Sequence, residues 1–166
     1  MPLDFDPIDR AAELWEERIG DPEAMRLATS IVRAQQLVVT RLDAVLRPHG
    51  ITFARYEVLR LLSFSRRGSV PLSKIGERLM VHPTSVTNVI DRLTAQGLVS
   101  REPDPADRRR ILASLTDEGA TVLEAATEAI TAMDFGVGDL TPEQQREASD
   151  LLRILRVADQ AATDRA

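Results

Sequence analysis

The chain contains no cysteine, and this absence excludes several classes of protein at once. Without thiols the fold cannot depend on disulfides, and cysteine-based metal, redox and catalytic sites are impossible. No segment approaches the roughly 20 consecutive apolar residues of a membrane-spanning helix. The first ten residues, MPLDFDPIDR, lack the basic and apolar regions of a signal peptide. We therefore expect a cytoplasmic protein that has no membrane partner.

Catalytic patterns are also missing from the sequence. It has no glycine-rich phosphate loop, no repeated carboxylate motif and no histidine beside an evident serine and acid. His49 and His82 lie in turn-prone segments, away from carboxylates at the spacing of metal ligands. The sequence therefore predicts neither an enzyme nor a metal or cofactor site, and it places His82 at the start of a helix.

Charge is distributed unevenly along the chain of 166 residues, a length that predicts one folded unit. The net charge is −5 overall, but residues 55–110 contain 11 Arg and Lys against 6 Asp and Glu, a net of +5. The remaining residues contain 10 basic and 20 acidic side chains, a net of −10. A basic middle between acidic ends predicts a polyanionic partner for the middle alone.

Both ends of the chain carry amphipathic helical patterns. Apolar residues at helical spacing predict helices over 6–20, 21–50, 116–133 and 141–162, with a glycine-containing turn at 134–140. The last helix has an apolar seam of roughly heptad spacing, formed by Ala148, Leu151, Leu152, Leu155, Ala158 and Ala162. Apolar stripes at both ends are better explained by pairing of two subunits than by an internal core, so we expect a homodimer.

The middle of the chain follows a different plan. After a helix that Thr52 can cap, a short apolar run precedes a two-turn helix at 72–79, and Pro83 opens a further helix that ends at Gly97. Two predicted strands, 98–102 and 111–115, are joined by a charged loop. Helix, tight turn, helix and β-hairpin are the parts of a winged helix-turn-helix. The predicted fold is mainly α with a small β-hairpin wing, an α+β arrangement of this DNA-binding domain on dimerisation helices.

The helix that Pro83 opens has an unusual polar face. If Val86, Ile90 and Leu93 face the core, the outward residues are short and polar rather than the Lys and Glu of a solvated helix. Hydroxyls and amides are weak helix formers, so their presence needs a reason. Base edges in a DNA major groove supply one, and a phosphate suits the free N–H groups behind Pro83; a merely solvated helix is the alternative. The outward residues are Thr84, Ser85, Thr87, Asn88 and Asp91.

The loop DPADRRR predicts a second DNA contact at the tip or descending side of the hairpin. Asp107 can orient a neighbouring guanidinium, and such an arginine can enter the narrow minor groove. Taken alone, a solvated loop would be the simpler interpretation. The wing arginines are Arg108, Arg109 and Arg110. The further candidates for phosphate contacts are Arg66, Arg67, Lys74, Arg78, Arg92 and Arg101.

The run PLSKIGERLMVHPTSVTNVIDRLTAQGLVSREPDPADRRRILASLTDEG resembles the winged helix-turn-helix core of the MarR family of bacterial transcriptional regulators, including the Asp-x-Arg of the wing at Asp107 and Arg109. The resemblance extends over most of the chain, from about Pro22 to about Ala162. It implies a homodimer that binds a near-palindromic operator on double-stranded DNA and is often released by a small ligand, most simply a repressor, although activation stays open. The resemblance also implies that Pro83 begins the recognition helix and that Ser85, Thr87 and Asn88 contact bases or phosphates. Many relatives have arginine at position 88, so no operator sequence is implied.

The resemblance also divides the chain into dimerisation helices at 1–50 and 117–166 and a DNA-binding domain at 51–116. An effector pocket is expected between these parts, and its candidate residues are Trp15, His49, Arg55, Tyr56 and Arg60. Trp15 could instead pack in the core or the dimer. Phe64 stands where relatives that bind small anions are expected to have an arginine, so their ligand is not transferred. The alternative function is a helical ligand-binding or protein-interaction module that has kept the fold but does not bind DNA.

Overall fold

The computed structural model describes residues 4–163, and over 158–163 only the backbone. Its helices are α1 (Pro7–Arg18), α2 (Glu23–Leu46), α3 (Phe53–Ser63), α4 (Leu72–Leu79), α5 (Pro83–Ala95), α6 (Asp117–Thr131) and α7 (Pro142–Thr163). Its strands are β1 (Ser69–Pro71), β2 (Val99–Asp104) and β3 (Asp107–Leu115). Two 3-10 turns, Arg47–His49 and Asp134–Gly136, follow α2 and α6. The outermost residues of the predicted end regions, 1–3 and 164–166, lie outside the described residues.

Side-chain caps explain where most helices begin. The Asp6 carboxylate accepts the Ile8 N–H at 2.7 Å at the start of α1. Before α7, Thr141 and Gln144 cap each other in a reciprocal capping box, with bonds of 2.9 and 3.3 Å. These starts were predicted from the sequence and are confirmed.

The start of α3 differs from its prediction. Thr52 is the N-cap residue, but its side chain makes no capping bond. The Asp43 carboxylate of α2 instead accepts the Phe53 N–H at 2.7 Å. A carboxylate from a neighbouring helix satisfies the free N–H and suits the positive end of the helix dipole, so the Thr52 hydroxyl is not needed as a cap.

The three strands form an antiparallel sheet in the order β1-β3-β2. The hairpin is longer than predicted, because β2 continues to Asp104 and β3 already begins at Asp107, with these two residues paired. The prediction that 103–110 form a loop was therefore wrong, and the connection between the strands is Pro105 and Ala106. Aspartate, proline and arginine have low β propensity, but cross-strand backbone pairing overrides this preference in an exposed ladder.

One hydrophobic core joins α2, α3, α5, the sheet and α6. Val86, Ile90 and Leu93 of α5 are buried in it, as predicted, so the orientation of α5 is fixed. The sheet meets α6 very closely at Gly119, where a Cβ atom would lie 2.1 Å from the carbonyl oxygen of Leu98. Only glycine fits at this junction.

The terminal helices leave apolar side chains uncovered. No other described element packs closely along α7, and its described apolar side chains from Leu151 onward are all exposed, Leu151 at 67%. The exposed large apolar residues of α7 are Leu151, Leu152, Ile154, Leu155 and Val157, and those of α1, α2 and their connection are Trp15, Ile19, Leu27, Val32 and Leu37. The side chains of Ala158 and Ala162, also predicted in the seam, lie outside the described part. None of the helices within residues 4–163 has the length and apolarity needed to span a bilayer.

Candidate nucleic-acid interface

Helix α5 presents a fixed polar surface to solvent. His82 is its N-cap, as predicted, and the ring Nδ1 accepts the Thr84 N–H at 3.2 Å. All of the outward residues predicted for DNA contact on α5 are exposed; they are Thr84, Ser85, Thr87, Asn88, Asp91 and Arg92. Because the opposite stripe is buried, this face cannot rotate away from a partner.

The polar side chains on this face differ in whether they already make hydrogen bonds within the protein. The Thr87 hydroxyl donates to the carbonyl of Pro83 at 3.2 Å, which leaves its lone pairs and methyl group accessible. Among the described residues, no hydrogen bond engages the side chains of Ser85 and Asn88. An exposed amide and hydroxyl without internal partners are suited to base edges, which require donors and acceptors in the same place.

The wing presents its arginines from a strand rather than from a loop. Asp107 accepts both the backbone N–H and the Nε–H of Arg109, at 3.1 and 3.2 Å, while the Arg109 side chain remains 92% exposed. Arg110 lies 3.7 Å from the Asp104 carboxylate, and Arg108 is exposed. Asp107 thus directs one guanidinium outward without shielding it.

An ion pair joins the wing to α5. Nη1 of Arg101 on β2 contacts the Asp91 carboxylate on α5. Two of the predicted phosphate contacts are therefore already engaged, since Lys74 is likewise paired with Glu77 at 2.6 Å. The Arg101–Asp91 ion pair also fixes the distance between the wing and α5, the two surfaces that were predicted to contact DNA.

Two cavities are lined by described residues of α3, one on the side of α5 and one on the side of α4. The first, which we call the α3–α5 cleft, has a volume of about 500 Å³ and is lined by Thr52, Arg55, Asn88, Val89, Asp91 and Arg92. The second, which we call the aromatic cavity, has a volume of about 470 Å³ and is lined by Phe53, Tyr56, Glu57, Arg60, Leu61, Phe64, Arg78, Leu79 and Phe135. The first is mostly polar and the second mostly apolar, so they suit different partners.

The structure separates the residues predicted for an effector pocket. Tyr56 and Arg60 line the aromatic cavity, Arg55 lines the α3–α5 cleft, and neither Trp15 nor His49 lines either cavity. Arg55 and Tyr56 are consecutive on α3 and therefore point about 100° apart. This difference in direction explains why Arg55 and Tyr56 line different cavities in the structure.

The aromatic cavity holds a constrained cation. The Arg60 guanidinium lies 5.8 Å from the ring centroid of Tyr56 and 5.5 Å from that of Phe64, and it also hydrogen-bonds the Thr127 hydroxyl. Burial raises the pKa of the Glu57 carboxyl above its ordinary value. An aromatic wall with one fixed guanidinium is suited to an organic anion with an apolar body.

Several lining residues of this cavity were not predicted. Phe53 and Phe64 were not predicted for the pocket, but together with the predicted Tyr56 and Arg60 they recur every three or four residues along α3, so helical spacing could have grouped them. Phe135 could not be found in this way. Phe135 lies in a separate turn, where its φ is +53°, a left-handed conformation that is rare for phenylalanine.

Comparison with known proteins identifies the family. A profile of the MarR family matches residues 51–111. The crystal structure of Sco5413, a MarR family transcriptional regulator from Streptomyces coelicolor, superimposes with a TM-score of 0.78 at 53% identity, over 84% of this chain and 96% of that one. The chain belongs to the MarR family. The predicted winged helix-turn-helix and the predicted family are thereby confirmed.

Other members of the MarR family extend the comparison. The transcriptional repressor MdtR of Bacillus subtilis is 37% identical over 69% of this chain and 72% of its own length. The uncharacterised regulator YhbI of the same organism is 36% identical over 58% of this chain, a match that spans only 61% of YhbI. Sco3205 of Streptomyces coelicolor, solved in complex with DNA, aligns with a TM-score of 0.73 at 31% identity, over 81% of this chain and 86% of that one.

Proposed function

We propose that this MarR-family protein is a dimeric, DNA-binding transcriptional repressor. The observation that carries the proposal is the exposed polar face of α5, held by the Asp91–Arg101 pair beside a wing with three exposed arginines. In this arrangement α5 enters a major groove and Arg109 reaches the adjacent minor groove. The DNA complex of Sco3205 and the repressor MdtR support the proposal.

The two surfaces contribute differently to DNA binding. The arginines of the wing, with Arg66 and Lys74, neutralise phosphates and supply affinity that does not depend on sequence. Ser85, Thr87 and Asn88 have the short donors and acceptors that distinguish one base pair from another. Affinity and specificity therefore come from separate residues, which makes them separable by mutation.

The terminal helices supply the dimer. Exposed leucines and isoleucine along α7, together with the exposed apolar residues of α1 and α2, support this dimer, because clustered exposed apolar side chains mark protein interfaces. A twofold dimer that covers them presents two copies of α5 to half-sites roughly 34–36 Å apart. This geometry matches a near-palindromic operator.

A small effector completes the proposal. The aromatic cavity joins α3, α4 and the turn after α6, and Arg60 within it is tied to Thr127 of α6. A ligand that displaces this contact changes how the winged helix-turn-helix is held against α6. Selective binding to the native state raises the melting temperature, so thermal-shift screening with aromatic acids, lipidic acids and antibiotics tests the cavity, with Arg60→Gln as the variant that should lose the shift.

Fluorescence anisotropy at a series of salt concentrations tests DNA binding. The probes are the duplex upstream of the protein's own gene and a random duplex of equal length. Arg109→Ala should weaken binding to both duplexes and reduce the slope of log K against log salt by about 0.9 for each lost phosphate contact. Asn88→Ala should mainly relax the preference at one base pair, by about 1–3 kcal/mol.

Arg10→Ala is the matched control, because Arg10 is an exposed arginine of α1 paired with Glu13. It should change neither slope nor preference. If Asn88→Ala lowers the affinity for both duplexes equally, Asn88 does not recognise a specific base. Absence of DNA binding by the ligand-free wild type at low salt would instead favour a module that has kept the fold without the DNA function.

A further inference from the structure

The α3–α5 cleft is a polar cavity that neither base reading nor effector binding accounts for. Thr52 and Arg55 line it from the first turn of α3, and Asn88 and Arg92 line it from α5. Its volume of about 500 Å³ leaves room for a phosphate group together with several waters. The cavity is therefore large enough for an anion from outside the protein.

The charges of the cleft favour an anion. The acidic side chain that lines it, Asp91, is already paired with Arg101. Arg92 has no ion-pair partner among the described residues. Within the described part of the chain, the Arg55 guanidinium donates only to the carbonyl of Gly50, over a long 3.4 Å. Two arginines consequently line the same cleft without an acidic partner of their own among the described residues.

The position of Arg55 supports this assignment. A cation in the first turn of a helix faces the positive end of the helix dipole, so it raises the local electrostatic energy. Thr52 stands beside it with a hydroxyl that makes no capping bond. Asp43 already caps the helix start through the Phe53 N–H, so an anion in the cleft would interact with the Thr52 hydroxyl and the Arg55 guanidinium.

The cleft also lies where DNA backbone is expected. Asn88 and Arg92 are one helical turn apart and share a face of α5. A helix about 10–12 Å in diameter fills a major groove about 12 Å wide, so side chains on its flank meet the sugar–phosphate backbone. Arg55 approaches the same position from α3, which lies outside the groove.

We propose that Arg55 and Arg92 hold one phosphodiester of the DNA backbone in the α3–α5 cleft, with the Thr52 hydroxyl as a further donor. The held phosphate sets the distance from which Asn88 reaches its base. Arg55 is thus a DNA contact rather than the effector residue that the sequence suggested. This inference rests on the DNA-binding function proposed above.

Salt-dependent anisotropy on the full-length protein tests the proposal. Arg55→Gln should weaken binding to specific and random duplexes alike, by roughly tenfold or more, and lower the salt slope of the dimer by about 1.8, or about 0.9 for each subunit. Arg55→Lys, which keeps the charge, should retain the slope. Arg10→Gln removes an arginine from α1 and should leave both quantities unchanged.

Neutral methylphosphonates, placed one at a time along the bound duplex, locate the contact. At one position in each half-site, the substitution should weaken the wild type but leave Arg55→Gln unaffected, because the partner of the phosphate is already gone. Melting curves of the free proteins check that Arg55→Gln is folded.

The outcomes separate this inference from the function on which it rests. If the wild type binds no duplex, both are overturned. Two results would overturn only the phosphate contact, provided that the wild type binds DNA. In the first, Arg55→Gln has the same salt slope as the wild type. In the second, every methylphosphonate that weakens the wild type also weakens Arg55→Gln. If inorganic phosphate raises the melting temperature of the wild type but not of Arg55→Gln, while their DNA slopes agree, the cleft belongs to a free anion and the proposal is wrong.

Discussion

The winged domain and the terminal helices differ in what they leave uncovered. On the outward face of α5 and along the wing, the exposed side chains are mainly hydroxyls, an amide and arginines, with Met80, Val81 and Ile111 as the exposed large apolar residues of this region. Along α7, and on the outer side of α1 and α2, leucines, isoleucines and valines remain exposed. The first surface suits a polyanion and the second suits another protein, so one chain carries two interfaces of opposite chemistry.

The distribution of charge reinforces this contrast. Residues 55–110, which contain α5 and the wing, have a net charge of +5, whereas the rest of the chain has a net charge of −10. Acidic helices are repelled by phosphates, so nonspecific DNA is disfavoured at the surface that we propose for the second subunit. Disrupting each region separately therefore gives different and measurable failures.

The largest effect is expected from the apolar face of α7. Replacing both Leu151 and Leu155 by aspartate places two charges, one turn apart, in the surface that we assign to the dimer. Light scattering after size exclusion should show a monomer in place of a dimer. DNA affinity should fall by about 100-fold or more, because the second half-site is no longer bound within the same complex.

Arg153→Asp is the control for this pair, since Arg153 is two residues from both Leu151 and Leu155 and therefore lies on a different side of the same helix. It should remain dimeric. A wild type that is already monomeric at micromolar concentration, or a double variant that stays dimeric, would show that α7 is not the interface.

A smaller loss is expected at the junction of the two regions. Gly119 begins α6 against the end of the α5–β2 connection, and the methyl group of Gly119→Ala would collide with the Leu98 carbonyl. Overpacking of this kind typically lowers the free energy of unfolding by about 1–3 kcal/mol, and a backbone obstacle puts this site at the upper end. Urea unfolding followed by circular dichroism measures the change.

Gly138→Ala provides the comparison, because the added methyl would meet only the flexible Asp134 side chain, at 3.3 Å. Its unfolding midpoint should stay close to that of the wild type. If Gly119→Ala is equally tolerated, the sheet and α6 are less tightly joined than the backbone distance indicates.

Much of the fold was predictable because its signals are local. The helix starts at Asp6, Thr116 and Thr141 follow from capping chemistry that operates within three residues. The extent of the hairpin was not predictable in the same way. Its strands pair residues far apart in sequence, such as Glu102 with Leu112, whose own preferences give no indication of the pairing.

The candidate site was predictable only where it lies on one element. The outward residues of α5 follow from a single helical period, and the Asp107–Arg109 contact spans two residues. The separation of Arg55 from Tyr56 into two cavities depends on what packs against each side of α3. The Asp91–Arg101 pair likewise joins a helix to a strand, and no local pattern reports such a contact.

The smallest expected effect concerns Glu57 in the aromatic cavity. Burial raises the pKa of this carboxyl in the folded state, so the native protein holds the proton more tightly than the unfolded chain does. Below the pKa of Glu57 in the unfolded chain, about 4.5, the carboxyl is protonated in both states, so the shift does not change the free energy of unfolding. As the pH rises above it, the charged carboxylate in its partly buried site increasingly destabilises the fold.

Glu57→Gln removes that charge and should therefore raise the melting temperature slightly at pH 7, by about 1–3 °C, with the difference shrinking toward zero near pH 4. Calorimetry of both proteins across this range measures it, and Glu124→Gln, on the exposed side of α6, controls for the change in net charge. If the difference is constant with pH, or reversed at pH 7, the neighbouring Arg60 and Arg78 compensate Glu57 fully. The aromatic cavity would then be electrostatically balanced without a ligand, and the argument for an anionic effector would lose its basis, whereas the DNA surface on α5 and the wing would be unaffected.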